Sequence, residues 1–450
     1  MFHRIRQSNH HLLSVKHWKT RLVFWIGAVA IGTAAAGFAA GASYAEQLFH
    51  LGTQRYFWLP LIVTPAGLVA VVWFTRRFLP GAEGSGIPQA IAALTSRHEP
   101  HRKVLLSVRI AIGKIVTTLV GLMCGASIGR EGPTVHVGAA IMYSIGRIAH
   151  FPRHDLERGL ILAGGAAGVA AAFNTPLAGI LFAIEEMSRS FDEKSSGTML
   201  VAVVLAGVVA VAWLGNYTYF GHTEAAFVAA TDWIAVLVCG VTGGLLGGVF
   251  SSVLVNGNRR LRPYVSRFPL RVALVCGLTV AAAGLLSGGA VFGTGYQEAS
   301  KLVLGTDESS VFYPFLKMIA TAASYFSGIP GGIFAPSLST GAGLGHLLSQ
   351  GMPEVPATAV VILGMVAYFS GVVQTPITAF VIVMEMTDNR SILLPLMATS
   401  FIAYGVSRVI CPQPIYRSLA EAFIWKPPEE EAGEEAATPA TGNDGENEVK

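Results

Sequence analysis

The sequence predicts an all-α, polytopic membrane protein built from two inverted-topology repeats, with broken and tilted helices meeting near the membrane midplane. Three observations predict it. The first is charge poverty: of 450 residues only 31 are Lys or Arg and 27 Asp or Glu, 13% charged against 52% hydrophobic. That is about half the charge of a soluble domain, with mean hydropathy +0.55. The second is an internal repeat at an offset of 200 residues. The third is a set of Gly/Pro-rich breaks inside apolar runs.

Charge poverty comes first because it excludes most classes. A soluble enzyme or a nucleic-acid-binding protein of this length needs charged residues to cover its surface. No Asp, Glu, Lys or Arg occurs in Gly159–Ile184, Ser195–Thr223, Trp233–Asn258, Val272–Gln297, Met318–Pro353 or Val355–Met384. Each exceeds the ~20 apolar residues that cross a ~30 Å hydrocarbon core. None has the ten-residue polar/apolar alternation of barrel strands. The first apolar run, Leu22–Tyr44, begins too late and runs too long for a signal-peptide core, so it reads as the first membrane helix. Cys124, Cys239, Cys276 and Cys411 have no CxxC spacing and read as buried thiols rather than a disulfide or metal site.

The organisation follows from charge. Residues 1–21 carry five Lys or Arg and read as a basic cytoplasmic tail. Basic clusters at Arg97–Arg109, Arg147–Arg158 and Arg259–Arg271 read as cytoplasmic loops. Residues 216–232 are polar and aromatic without Lys or Arg, and suit an outer linker between a first repeat at 22–215 and a second at 233–426. Residues 427–450 hold eight acidic residues and one lysine, an acidic disordered tail; the body without it carries +11 rather than +4.

The repeat aligns Thr175-Pro176 and Glu185 with Thr375-Pro376 and Glu385. Upstream of each copy stands a Gly-rich break that ends in proline, at 129–133 and 331–336. Repeats of this kind are frequent in secondary transporters, with substrate bound where broken helices meet. An odd number of crossings per half inverts the halves and puts both termini on one side, which the basic tail makes cytoplasmic.

Three breaks carry the chemistry: Gly84-Ser85-Gly86-Ile87-Pro88, Gly129-Arg130-Glu131-Gly132-Pro133 and Gly331-Gly332-Ile333-Phe334-Ala335-Pro336. Proline in a first helical turn loses only an N–H that has no partner anyway. Glycine lets bare backbone approach a ligand, and helix N-termini attract anions through open N–H groups. Any one break could be a kink; three together suit a small monovalent anion that binds and leaves. No GxxxxGK[ST] sequence occurs, so nucleotide hydrolysis has no support.

With GSGIP at 84–88, GREGP at 129–133, GGIFAP at 331–336, AAAFNTPLAGILFAIEEM at 170–187, VMEMTDN at 383–389 and the late Tyr416, the chain resembles the CLC family of chloride channels and chloride/proton antiporters. The resemblance runs in order from about residue 22 to 420. It implies chloride binding by the hydroxyls of Ser85 and Tyr416 and by the amides of Ile333 and Phe334. The backbone of Gly84, Gly86, Ile87, Pro88, Gly129, Arg130, Gly132 and Pro133 would complete the filter. Glu131 would be the gate and outer proton acceptor, and Glu186 the inner proton relay. The bland alternatives are an N-cap serine for Ser85, an interfacial tyrosine for Tyr416 and a solvated helix end for Glu186. Lys114 either biases the pore toward anions or pairs with a carboxylate. Gln89, Ala90 and Ile91 depart from family exchangers that carry acids there.

The implied protein is a chloride/proton antiporter of a bacterial inner membrane. It would be a homodimer with one pore per subunit, surrounded by lipid, with no cofactor, metal or nucleic-acid partner and no cytoplasmic nucleotide-sensing domains. A passive voltage- or pH-gated chloride channel on the same fold is the alternative. An intramembrane enzyme using Glu185, Glu186, His136 and His346 is another, but no HExxH or GxSxG sequence supports it.

Overall fold

In a computed structural model, residues 15–96, 98–149, 154–188, 193–215, 219–227, 229, 232–306 and 309–424 are described. Most of both predicted tails, including all of 427–450, lies outside them. The described residues are helical, with only two isolated β-bridges and no strand.

The first half runs through α1 (Val15–Arg55), α2 (Pro60–Phe78), α3 (Ile87–Thr95), α4 (Glu99–Leu105), α5 (Val108–Met123), α6 (Glu131–Ile148), α7 (His154–Phe173), α8 (Pro176–Phe182) and α9 (Glu193–Leu214). The second runs through α10 (Trp233–Arg267), α11 (Pro269–Leu286), α12 (Tyr296–Leu304), α13 (Tyr313–Phe326), α14 (Phe334–Ser349), α15 (Ala357–Val373), α16 (Pro376–Thr387), α17 (Leu393–Ile410) and α18 (Ile415–Ala420). Among the described residues, six segments are long and apolar enough to cross a membrane: Trp18–Arg55, Pro60–Phe78, Glu99–Met123, Trp233–Arg267, Pro269–Leu286 and Leu393–Ile410. The short helices between them are broken pieces, as the Gly/Pro breaks require.

Small residues set the helix crossings, as they do wherever membrane helices pack by backbone approach. A Cβ on Gly138 of α6 would collide with the Gly164 carbonyl of α7, and one on Gly164 with the Gly138 carbonyl. In the second half, a Cβ on Gly341 of α14 would press on the Gly364 carbonyl of α15 at 2.7 Å. The two crossings are repeat equivalents, 203 and 200 residues apart. Gly32 of α1 packs on the Ala206 carbonyl of α9, and Gly244 of α10 on that of Ala403 in α17.

The repeat is reciprocal in space. Glu185 accepts from the N–H groups of Ile377 (3.1 Å) and Thr378 (2.7 Å) and from Thr378 Oγ1 (2.7 Å), capping the start of α16. Glu385 accepts from the N–H groups of Leu177 (3.2 Å) and Ala178 (2.9 Å), capping the start of α8. Each segment's distal carboxylate sits on the other's first turn, so α8 and α16 lie antiparallel about a local two-fold axis. Asn174 and Gln374, just ahead of the two first turns, both hold φ of 58°.

Two expectations need correction. Arg97–Arg109 is not a loop but carries α4 and the start of α5, and neither is Arg259–Arg271 a loop: α10 continues to Arg267 and α11 begins at Pro269. Thirty-five helical residues span about 52 Å at 1.5 Å per residue, longer than a hydrocarbon core, so the basic end is a helix that outruns it. The segment after Phe182 is a π-helical turn, Ala183–Ser188, rather than α-helix. Its wider winding alters how Glu185 and Glu186 diverge.

Candidate functional site

The three breaks meet. Gly84 N–H donates to the Ile329 carbonyl at 3.2 Å and Gly331 N–H to that of Gly84 at 3.1 Å; Gly129 and Gly332 exchange N–H···O bonds, both 2.7 Å. The strip at 329–332 is thereby stitched to both other breaks, and α3, α6 and α14 begin from one small region. The glycines are needed at two contacts. A Cβ on Gly132 would strike Ser85 Oγ, and one on Gly332 would sit 3.0 Å from Gly132 N.

Ser85 is 1% exposed and Tyr416, opening α18, is 0% exposed. Among the described residues neither hydroxyl has a partner in full hydrogen-bond geometry, although the two groups are close enough to interact with each other. The Tyr416 ring stacks on Phe334, centroids 5.8 Å apart and planes at 19°. Ser85 is not the N-cap of α3; Gly86 holds that place at φ 98°. Tyr416, fully buried, is not interfacial. A buried hydroxyl without a partner is costly; Ser85 Oγ lies against Gly132 in the first turn of α6, and the Tyr416 ring lies on Phe334, the first residue of α14.

Glu131 opens α6 and is 1% exposed. Its Oε1 accepts from Tyr219 Oη at 3.2 Å and lies 3.9 Å from Arg130 Nε. A Cβ on Gly129 would strike Glu131 Oε2 and stand 3.4 Å from the Ala335 N in the first turn of α14, and the Ala335 backbone N–H interacts with the carboxyl group. The carboxylate therefore lies where two helix N-termini face each other. Tyr219 was not singled out by its sequence, because it belongs to the linker between halves. The linker is not a solvent loop there: Tyr219 and Phe220 are 3% and 1% exposed. Tyr219 packs edge-on against Phe173 and Tyr296, with the Arg130 guanidinium over its ring.

Glu186, on the π-helical turn, is 1% exposed and so is not a solvated helix end. Tyr416 lies within electrostatic range of both Glu186 and Glu131. Its neighbour Glu185 is committed to capping α16, and His136 Nε2 bonds to the Leu105 carbonyl at 2.9 Å. Among the described residues no group of three or more His, Cys, Asp or Glu could hold a metal ion.

The sequence model described as "Voltage gated chloride channel" matches residues 66–408. The chain belongs to that family. Among CLC relatives, the H(+)/Cl(-) exchange transporter ClcA of Vibrio parahaemolyticus serotype O3:K6 is 31% identical over 392 residues, 82% of this chain and 81% of the relative. Among solved structures, a slow cyanobacterial Cl-/H+ antiporter superposes with TM-score 0.76 at 25% identity, covering 90% of this chain and 98% of that one. A CLC-type fluoride/proton antiporter superposes with TM-score 0.75 at 22% identity, covering 89% and 97%. At that identity the likeness is one of fold.

Two positions of this CLC chain find structural uses. Gln89, where some exchangers carry an acid, donates Nε2 to the carbonyls of Gly81 (3.1 Å) and Glu83 (2.6 Å), closing the turn ahead of α3. Lys114 is 0% exposed and donates Nζ to the Gly84 carbonyl at 3.3 Å. Among the described residues it has no carboxylate within 4.0 Å, and Glu83 acts on it from farther off.

Proposed function

We propose that the chain exchanges chloride for protons, with Glu131 as the gate and Glu186 as the inner proton relay. The observation that carries it is the Glu131 carboxylate, an anion lying between two facing helix starts, where a chloride would also be stabilised. An ionised Glu131 competes with chloride for that position; a protonated one loses the attraction and yields it. One site then answers to both ions. Chloride would next meet the Ser85 and Tyr416 hydroxyls and the amides of Ile333 and Phe334. The filter backbone is the set of glycines and prolines in the 84–88 and 129–133 breaks. Glu186 stands on a π-helical turn of its own, outside the three breaks in sequence, which suits a group that handles protons alone. The names of the relatives support exchange over passive conduction. The deciding experiment uses purified protein in chloride-loaded liposomes with external pH recorded. A chloride gradient should drive protons uphill; a chloride flux with no proton movement would put the passive channel in its place.

Selectivity follows from Ser85. Its hydroxyl supplies one charge-assisted hydrogen bond, on the order of 1.5–3 kcal/mol. Ser85→Pro is expected to shift preference from chloride toward nitrate by tenfold or so, since about 1.4 kcal/mol is one decade. Unchanged chloride/nitrate flux ratios in a folded variant would remove Ser85 from the site.

The membrane would be the bacterial inner membrane, with repeats at 22–215 and 233–426 and both termini cytoplasmic. Single cysteines at Ser8 and Thr441, in a cysteine-depleted chain, should both resist an impermeant reagent added outside cells; labelling of only one contradicts the inversion. Exposed Leu200, Val204 and Val208 of α9 and Leu394 and Phe401 of α17 supply apolar surface suited to a second copy, each subunit keeping its own pore. Cross-linking in detergent is expected to trap dimers, and a purely monomeric product counts against the pairing.

A further inference from the structure

The second half contains a counterpart of the first break that no proline marks. Gly293-Thr294-Gly295 precedes α12 as Gly84-Ser85-Gly86 precedes α3, and both helices have nine residues. The glycines match in conformation: φ is 68° and 98° at Gly84 and Gly86, and 64° and 76° at Gly293 and Gly295. Gly86 and Gly295 are the N-caps, both left-handed.

A buried lysine lies beneath each turn. Lys114 stands 17 residues before Glu131, the first residue of α6, and Lys317 stands 17 before Phe334, the first of α14. Lys114 donates to the Gly84 carbonyl; Lys317 donates to that of Gly293 at 2.9 Å and of Val291 at 3.0 Å. Both are 0% exposed. An ammonium has three donors, so these two bonds leave Lys317 one more. Among the described residues no carboxylate lies within 4.0 Å of its charge. Beyond that distance the Glu298 and Glu46 carboxylates act on the ammonium; its spare donor is an observation separate from the helix start above it.

An anion is already seated at this turn. Glu46 of α1 places Oε1 2.5 Å from the Thr294 N–H. A Cβ on Gly293 would meet the same oxygen at 2.5 Å, so only glycine admits it. Thr294 is the positional counterpart of Ser85. Glu46 is partly exposed, and next to it in the chain Gln47 and His50 line a cavity of about 920 Å³, which Gly289, Glu298, Lys301 and Tyr313 also line.

We propose that Gly293–Gly295 and Lys317 form a second anion cradle, related by the internal repeat to the one at Ser85, with the Glu46 carboxylate as its built-in occupant. Withdrawing that carboxylate opens the cradle to a small monovalent anion entering from the cavity. Bromide is the probe, because its anomalous scattering locates it.

Crystals of wild type and Glu46→Ala are compared in bromide. The variant is expected to show a bromide peak beside Thr294 N that is absent from wild type. A folded variant with no peak there at saturating bromide overturns the proposal. Bromide near Ser85, read in the same crystals, reports on the proposed transport site separately, so failure of one reading does not imply failure of the other. If Glu46→Ala does not fold, Glu46→Gln, which keeps the shape and loses the charge, is melted in halide-free and bromide buffers. Its Tm is expected to rise with bromide more steeply than that of wild type, and the excess should vanish in Glu46→Gln/Lys317→Met. Equal bromide slopes in Glu46→Gln and wild type overturn the proposal as well.

Discussion

Glu186→Gln is expected to abolish proton pumping while chloride transport survives. Glutamine keeps the shape and the hydrogen-bonding edges of the side chain but cannot ionise, so the proton loses its inner stop. Glu186 is buried on its own turn, and the proposed chloride path does not use it. In liposomes with a chloride gradient, proton uptake should fall to the leak of protein-free vesicles. Chloride efflux should stay within about tenfold of wild type, a barrier change of no more than about 1.4 kcal/mol. Uphill proton movement persisting in this variant would falsify the relay, and its absence in wild type would remove the antiporter reading altogether.

Glu131→Ala is expected to do the opposite: it should free chloride from proton control. Under the proposed exchange, the ionised carboxylate would occupy the anion position between α6 and α14. Lowering the pH would protonate it and release that position, so wild-type chloride flux is expected to rise as pH falls. A gate worked by one proton can change its open population by at most about tenfold per pH unit. Alanine has no charge to place there, so the variant's flux should be flat with pH, at or above the acid level of the wild type, and without proton coupling. A pH slope equal to that of wild type would assign the gate to another group. Tyr219 and Arg130 are the groups in direct contact with Glu131 that would then be tested.

Much of this was legible in the sequence because glycine, proline and charge have strong local meanings in a membrane. The charge-free windows gave the class, and Pro88, Pro133 and Pro336 marked helix starts at the three breaks that the fold brings together. What was not legible depends on contacts across the halves. Glu185 and Glu385 align as repeat partners in the sequence, but nothing local says that each caps the other's helix. Tyr219 sits in a linker whose polarity suggests solvent, yet aromatic packing against Phe173 and Tyr296 turns it inward to Glu131. The turn at Gly293–Gly295 escaped notice because its helix starts on a left-handed glycine without a following proline. Arg259–Arg271 read as a loop from its charge, whereas α10 carries its basic residues on to Arg267 and α11 begins at Pro269.

The exchange of caps between α8 and α16 also dictates when the molecule becomes whole. The carboxylate that satisfies the first turn of α8 is encoded about 200 residues after it. At about 5–20 residues per second, a ribosome takes roughly 10–40 s to cover that distance. Throughout that interval the first half stands in the membrane with open N–H groups at Leu177 and Ala178, and with Glu185 lacking its α16 donors. Both defects are repaired together when α16 arrives. A chain cut short before Glu385 would lack the carboxylate that caps the start of α8, a local difference between a partial chain and a finished one.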